Sequence, residues 1–164
     1  MLAVQPLQEQ HYTAVARIYE EGIATGNATL QAAAPAWPTW NTDHLPHSRF
    51  VAVLNDAIIV GWAALTPVSG RCVYRGVAEV SVYIGAEHRG SGVGKLLLTH
   101  LIQESEANGI WTLQAGIFKE NTASVALHQK CGFRIVGLRE KIGQLNGNWR
   151  DVYLLERRSL IVGV

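Results

Sequence analysis

Cysteine is scarce in this chain: Cys72 and Cys131 are the only two in 164 residues. Neither stands at metal-ligand spacing from another Cys or His, and two free thiols fit a reducing compartment. Charge is scarce too. Charged residues make up 16% and the net charge is +1 with six histidines taken as neutral. So balanced a chain lacks the basic excess that nucleic acid or an anionic membrane would attract. No uninterrupted apolar run reaches membrane-spanning length. The stretch from Met1 to Pro6 has no basic segment followed by a long apolar run, so no signal peptide is expected. Linkers, repeats and low-complexity tracts are absent. What remains is a chain that is 48% hydrophobic, enough for one core at this length. These features predict one domain over residues 1–164, soluble and cytoplasmic, with no nucleic acid, membrane or metal partner.

The pattern predicts a short strand at residues 2–4, ended by Pro6, and a helix over 8–21 with Gly22 near its end. Within residues 23–47, Pro35 and Pro38 stand close to the tryptophans Trp37 and Trp40, which suits an ordered loop and a short helix. Those tryptophans either line a functional loop or cap the core. Strands at 50–54 and 58–66 pair as a hairpin around Asn55-Asp56. A central strand follows at about 74–84, with Val77, Glu79, Ser81 and Tyr83 on one side and Ala78, Val80, Val82 and Ile84 on the other. Then come a helix over 92–107, a strand at 111–118, and a helix capped by Asn121 and ended by Gly132. Two last strands, 133–142 and 148–155, are joined through Asn146-Gly147. The order β-α-loop-β-β-β-α-β-α-β-β is that of a mixed α/β domain.

The junction of the central strand and its helix holds three glycines in five residues: Arg89-Gly90-Ser91-Gly92-Val93-Gly94-Lys95. Glycines there let main-chain N–H groups turn inward around an anion, and the helix points its positive end at the same place. A phosphate-binding site is expected. A Walker loop requires Ser or Thr after Gly-Lys, but Leu96 follows Lys95. A dinucleotide fingerprint requires an early strand and an acid ending the next one; this strand is the fourth, and 111–118 ends without an acid. The third pattern, Arg/Gln-x-x-Gly-x-Gly/Ala, is met in full.

With that loop the sequence resembles the GCN5-related N-acetyltransferase (GNAT) superfamily, and within it the phosphinothricin and methionine sulfoximine N-acetyltransferase branch. Four further segments carry the resemblance: Ala78-Glu79-Val80-Ser81-Val82-Tyr83-Ile84, the run from Asn121 to His128, Lys130-Cys131-Gly132-Phe133, and Gly147-Asn148-Trp149-Arg150-Asp151-Val152. The likeness runs from about Phe50 onward. It implies an α+β fold with a mostly antiparallel sheet of about seven strands, flanked by helices and splayed between two central strands. It also implies acetyl-coenzyme A as cosubstrate, a small-molecule amine as acceptor, and a homodimer. The Trp-rich loop and the Leu160-Ile161-Val162 tail are candidate dimer contacts.

Acetyl transfer to an amine requires an anchored cofactor, a polarised thioester carbonyl, and loss of the ammonium proton. Anchoring falls to the main chain of Arg89, Gly90, Ser91, Gly92, Val93, Gly94 and Lys95. By resemblance, Val82, Tyr83 and Ile84 polarise the carbonyl through main-chain N–H groups, and Asn121 and Ser124 hold the pantetheine side. An alkyl ammonium with pKa ~10 is mostly protonated at neutral pH. Glu79, a carboxylate within an apolar strand, is the expected base; an ion pair with Arg75 is the alternative. His128 stands where many superfamily members have the tyrosine acid, and Tyr83 is a second candidate proton donor. Arg75 is the expected partner of an amino-acid carboxylate, with Tyr74, Leu30, Gln31 and Trp37 lining the acceptor side. The branch usually carries Thr-Phe-Glu in the early loop; here it is Thr29-Leu30-Gln31, which opens the question of substrate. Asp151 is expected to order the last hairpin. Another amine class (a protein N-terminus, polyamine or aminoglycoside) and a non-catalytic acyl-coenzyme A sensor are the alternatives.

Overall fold

The structure, a computed structural model, describes all 164 residues. Seven strands form one sheet in the order β1-β2-β3-β4-β5-β7-β6. They are β1 (Leu2–Pro6), β2 (Phe50–Leu54), β3 (Ile58–Pro67), β4 (Val77–Ile84), β5 (Thr112–Phe118), β6 (Arg134–Leu145) and β7 (Asn148–Arg158). The helices are α1 (Tyr12–Ala24), α2 (Trp37–Asp43), α3 (Val93–Ala107) and α4 (Thr122–Lys130). No helix is long and apolar enough to cross a membrane.

Alternation along the strands splits the apolar residues between two faces. On one face, Ala78 and Val80 of β4 meet Leu97, Leu98 and Leu101 of α3 in a 17-residue core. On the other, Trp62 of β3 packs with Val15 and Ile18 of α1 and Trp40 of α2. Tyr83 joins that second cluster, its ring stacked on Trp62 at 4.9 Å and on Tyr19 at 4.8 Å. Glu79 and Ser81 therefore share the Tyr83 face.

The expected elements differ from the observed ones where side chains pack closely. Gly22 does lie near the end of α1, two residues before Ala24, where a Cβ would stand 2.7 Å from the Tyr83 ring. β4 begins at Val77, three residues later than expected: Cys72–Tyr74 forms a 3-10 turn, and Gly76 presses on the Trp111 ring, where a Cβ would come within 2.0 Å. The Trp-rich segment is not an exposed loop. Trp40 is fully buried in α2, and Trp37 stacks on it at 5.8 Å and lies 5.4 Å from Tyr12. Core capping by these tryptophans is the outcome.

β6 and β7 run longer than expected, and β6 contains a bulge between Arg139 and Gly143. Lys141 sits there at φ 50°, and its N–H donates to the Asp151 carboxylate at 2.9 Å. Asp151 orders the last hairpin through this bond.

Every neighbouring pair is antiparallel except β4 and β5. That parallel pair follows from the α3 crossover joining them. It is short: Val77, Ala78 and Glu79 pair with Thr112, Leu113 and Gln114, and no rung follows. Beyond Glu79 the two strands part, and a gap opens in the middle of the sheet.

Candidate active site in the gap between the central strands

The glycine loop borders this gap. Gly90 and Gly92 have φ of +74° and +87°, a region costly for residues with a Cβ. Gly92 precedes α3, and the Leu96 N–H to Gly92 carbonyl bond of 3.1 Å opens the helical ladder. The amides of Val93, Gly94 and Lys95 therefore have no main-chain partner. They face out of the positive end of a 15-residue helix. Ser91 caps the turn, its hydroxyl donating to the His88 carbonyl. Glu21 of α1 reaches over to accept the Ala86 N–H at 2.7 Å, and that bond holds its carboxyl below the usual carboxylate range. Arg89 donates to the Ile84 carbonyl at 3.4 Å and leaves its remaining donors exposed.

The inner edge of β4 follows from its register with β3. Gly85 donates to the Val60 carbonyl at 2.8 Å. Counting back along an antiparallel ladder, Tyr83, Ser81 and Glu79 also aim their main-chain groups at β3. The N–H groups of Val82 and Ile84 then face the gap, beyond the last rung with β5. Tyr83, expected as a main-chain donor beside Val82 and Ile84, points its N–H towards β3 instead.

Glu79 sits on the last paired rung, at the floor of the gap. It makes no ion pair; the Gln114 amide donates to it at 3.4 Å. Arg75 is elsewhere, its guanidinium 5.7 Å over the Trp111 ring and donating to the Cys72 carbonyl at 3.3 Å. The expected alternative, an ion pair between them, does not form. Gly116 lies against the carboxylate: a Cβ there would be in van der Waals contact with Glu79 Oε1 at 3.8 Å and with Val152 at 3.5 Å.

Neither candidate proton donor is a ready acid. Burial lifts the Tyr83 phenol far above its ordinary range, with Thr29 and Tyr19 as its polar neighbours. His128 is buried against Phe133, with ring centroids 5.1 Å apart. Burial pushes its pKa down against the raising effect of the Ser124 carbonyl, 2.8 Å from Nδ1. A neutral imidazole in contact with a carbonyl donates from Nδ1, which leaves Nε2 as an acceptor. Asn121 is already engaged on both sides. Its Oδ1 accepts the Ser124 N–H at 3.3 Å, and its Nδ2 donates to the Asn27 carbonyl at 3.1 Å.

The residues expected on the acceptor side are not gathered in one place. Leu30 lies on the last hairpin, over Gly143, where a Cβ would come within 2.6 Å of Leu30 Cδ1. The Gln31 N–H donates to the Thr29 hydroxyl. Tyr74 is exposed beneath Arg71, and Trp37 belongs to the α1–α2 aromatic cluster. Four residues that sequence reasoning left out line or hold the site: Thr29, Asn27, Gln114 and Arg150. Their spacing carries no signal, because each acts through a partner remote in sequence.

A sheet opened between two parallel central strands, beside a helix whose free amides form an anion cradle, defines the acyl-coenzyme A-binding class of acyltransferase folds. A profile of the "Acetyltransferase (GNAT) family" matches residues 12–133, and the chain belongs to that family. It is 31% identical over 94% of its length to a phosphinothricin N-acetyltransferase of Alcaligenes faecalis, covering 81% of that protein. It is 35% identical over 65% of its length to an L-methionine sulfoximine/L-methionine sulfone acetyltransferase of Pseudomonas paraeruginosa, spanning 63% of that relative. A phosphinothricin acetyltransferase structure from Sinorhizobium meliloti, in complex with acetyl-coenzyme A, superposes with TM-score 0.87 at 27% identity, covering 96% of this chain and 88% of that one. A ribosomal-protein-alanine N-acetyltransferase structure from Brucella melitensis gives 0.88 at 28%, covering 96% and 99%.

Proposed function

We propose that this chain transfers the acetyl group of acetyl-coenzyme A to the primary amine of a small amino acid or analogue of the phosphinothricin and methionine sulfoximine type. One observation carries this reading: Glu79, a carboxylate without an ion pair, lies at the floor of a gap whose β4 wall presents unpaired amides. The residues present suit the cosubstrate. The free amides of Val93, Gly94 and Lys95 match a pyrophosphate, and the positive-φ glycines let the main chain approach it. Acetyl-coenzyme A supplies the thioester carbon that the amine attacks.

The chain's own groups do the remaining work. The N–H groups of Val82 and Ile84 are positioned to stabilise negative charge developing on a carbonyl oxygen in the gap. Freeing an amine of pKa ~10 at pH 7 costs about 4 kcal/mol, and Glu79 offsets this by accepting the ammonium proton directly or through one water. Transfer is direct, with no acyl-enzyme. His128 is neutral and buried, so it orients the end of α4 instead of supplying a proton; as the C–S bond breaks, the departing sulfur takes the second proton of the attacking nitrogen and leaves as the free thiol. Tyr83 shapes the wall and keeps its proton. Arg75, held over Trp111 at the paired end of β4 and β5, is not assigned to the acceptor.

The likeness to a ribosomal-protein-alanine N-acetyltransferase favours one second reading, a peptide N-terminus as acceptor. A thiol-release screen over phosphinothricin, methionine sulfoximine, methionine sulfone, free amino acids and alanine-terminated peptides tests both. Turnover confined to peptides overturns the small-molecule reading, and no turnover at all overturns both. A homodimer is part of the proposal: Val136, Ile142 and Trp149 on the last hairpin and Leu160 and Ile161 in the tail are exposed. Light scattering is expected to give twice the 17.9 kDa chain mass. A cytoplasmic location is supported by the two free thiols, Cys72 and Cys131.

A further inference from the structure

The segment joining α1 to α2 crosses one end of the gap and meets both banks. On the β4 bank it packs beside the Tyr83 ring, with Ala28 and that ring both against Gly22 and Thr29 near the Tyr83 and Tyr19 phenols. On the β5 bank, the Asn27 carbonyl accepts from Asn121 at the start of α4. The strongest tie on that bank is Arg150 of β7. Its guanidinium donates to the Gly26 carbonyl at 2.7 Å and to Asn27 Oδ1 at 2.9 Å, and its second amino group lies 3.3 Å from Glu120. Its flat face stacks 4.0 Å over the Phe118 ring, at the end of β5. The guanidinium is largely buried, and bidentate contact of this kind fixes orientation as well as distance.

Arg150 owes its place to the β6 bulge. The turn at Lys141, held by Asp151, brings Gly143 opposite Arg150 in the ladder. Gly143 then leaves the hollow that Leu30 fills. One hairpin thus grips the segment at Gly26, Asn27 and Leu30. None of these contacts reaches the glycine loop or the Val82–Ile84 edge.

We infer that Arg150 is a positioning residue for the amine acceptor: by holding residues 26–31 across the gap, it sets the size and reach of the acceptor cavity above Glu79. This rests on the acetyltransferase reading of the gap. The grip acts on the wall that meets the amine; its one tie towards the cofactor side is the Asn27 carbonyl bound by Asn121, a main-chain bond that Asn27→Ala keeps. Lysine cannot replace it fully, since it cannot make both bonds and stack at once.

The test compares the full-length chain with Arg150→Leu, Arg150→Lys and Asn27→Ala. Amine KM and kcat are measured over acceptors of graded side-chain length, and acetyl-coenzyme A binding by calorimetry. Arg150→Leu is expected to raise amine KM at least tenfold and flatten the ranking of acceptors, with acetyl-coenzyme A affinity within about twofold. Arg150→Lys is expected to fall between it and the parent. Asn27→Ala, which keeps the Phe118 stack and the fold, is expected to shift amine KM in the same direction. Parental KM and ranking in Arg150→Leu and Asn27→Ala overturn the inference, as does an equal loss of cofactor affinity in both. If the parent chain acetylates no amine, the acetyltransferase reading itself fails, an outcome distinct from these.

Discussion

Replacing Glu79 with glutamine tests the mechanism most directly. The swap keeps shape and removes the proton acceptor. Its effect on folding should be small, because Glu79 makes no ion pair and its one side-chain contact, to Gln114, is 3.4 Å long. The kinetic effect should be large. General-base catalysis contributes roughly 10²–10⁴-fold. At pH 7 only about one amine in a thousand with pKa ~10 is free. A variant that must wait for free amine is therefore expected to lose about 10²–10³ in kcat/KM at pH 7. It should recover as pH rises, approaching the parent near pH 10. The assay is thiol release from acetyl-coenzyme A across pH 6.5–10, with cofactor affinity measured by calorimetry. Unchanged kcat/KM at pH 7 would refute the base assignment. A deficit that stays constant up to pH 10 would do so too, since it would show that the carboxylate does something other than take a proton.

Three other perturbations follow from the packing. Gly76→Ala forces a Cβ to within 2.0 Å of the Trp111 ring and is expected to destabilise by more than about 3 kcal/mol in chemical denaturation. Gly92→Val places a β-branched residue at φ +87° ahead of α3 and is expected to weaken acetyl-coenzyme A binding at least tenfold by calorimetry, with amine KM little changed. His44 and His128 both have pKa values lowered chiefly by burial. The unfolded chain then binds more protons than the folded one below about pH 6.5, so stability present above that pH is lost on acidification. Melting temperature should hold from pH 8 to 7 and fall towards pH 5, and His128→Gln should fall less steeply.

Much of the fold was legible from local pattern. The 2-residue period of β4 assigned its two faces correctly, and three glycines before an amphipathic run marked the anion cradle. Asn121 as a cap and Asp151 as a hairpin brace were readable because both act within a few residues of themselves or across one tight turn. Trp37 was not readable: an aromatic beside prolines looks the same in sequence whether it lines a pocket or fills a core. His128 and Tyr83 show a related limit, because their chemistry depends on burial, which no motif spells out.

The sequence by itself determined that a glycine-rich basic loop joins strand to helix, that a carboxylate lies in the central strand, and to which superfamily both belong. These are properties of residue type and short-range spacing. Only the tertiary structure decided that β4 and β5 part just past Glu79, which turns main-chain amides into free donors. The structure also showed that Glu79 stays unpaired while Arg75 lies over Trp111. And only the fold brings Arg150 to Gly26 and Asn27, more than a hundred residues away, because a strand from the end of the chain is inserted beside β5. Contacts between remote segments are set by the packing of whole elements, and local sequence carries no record of them.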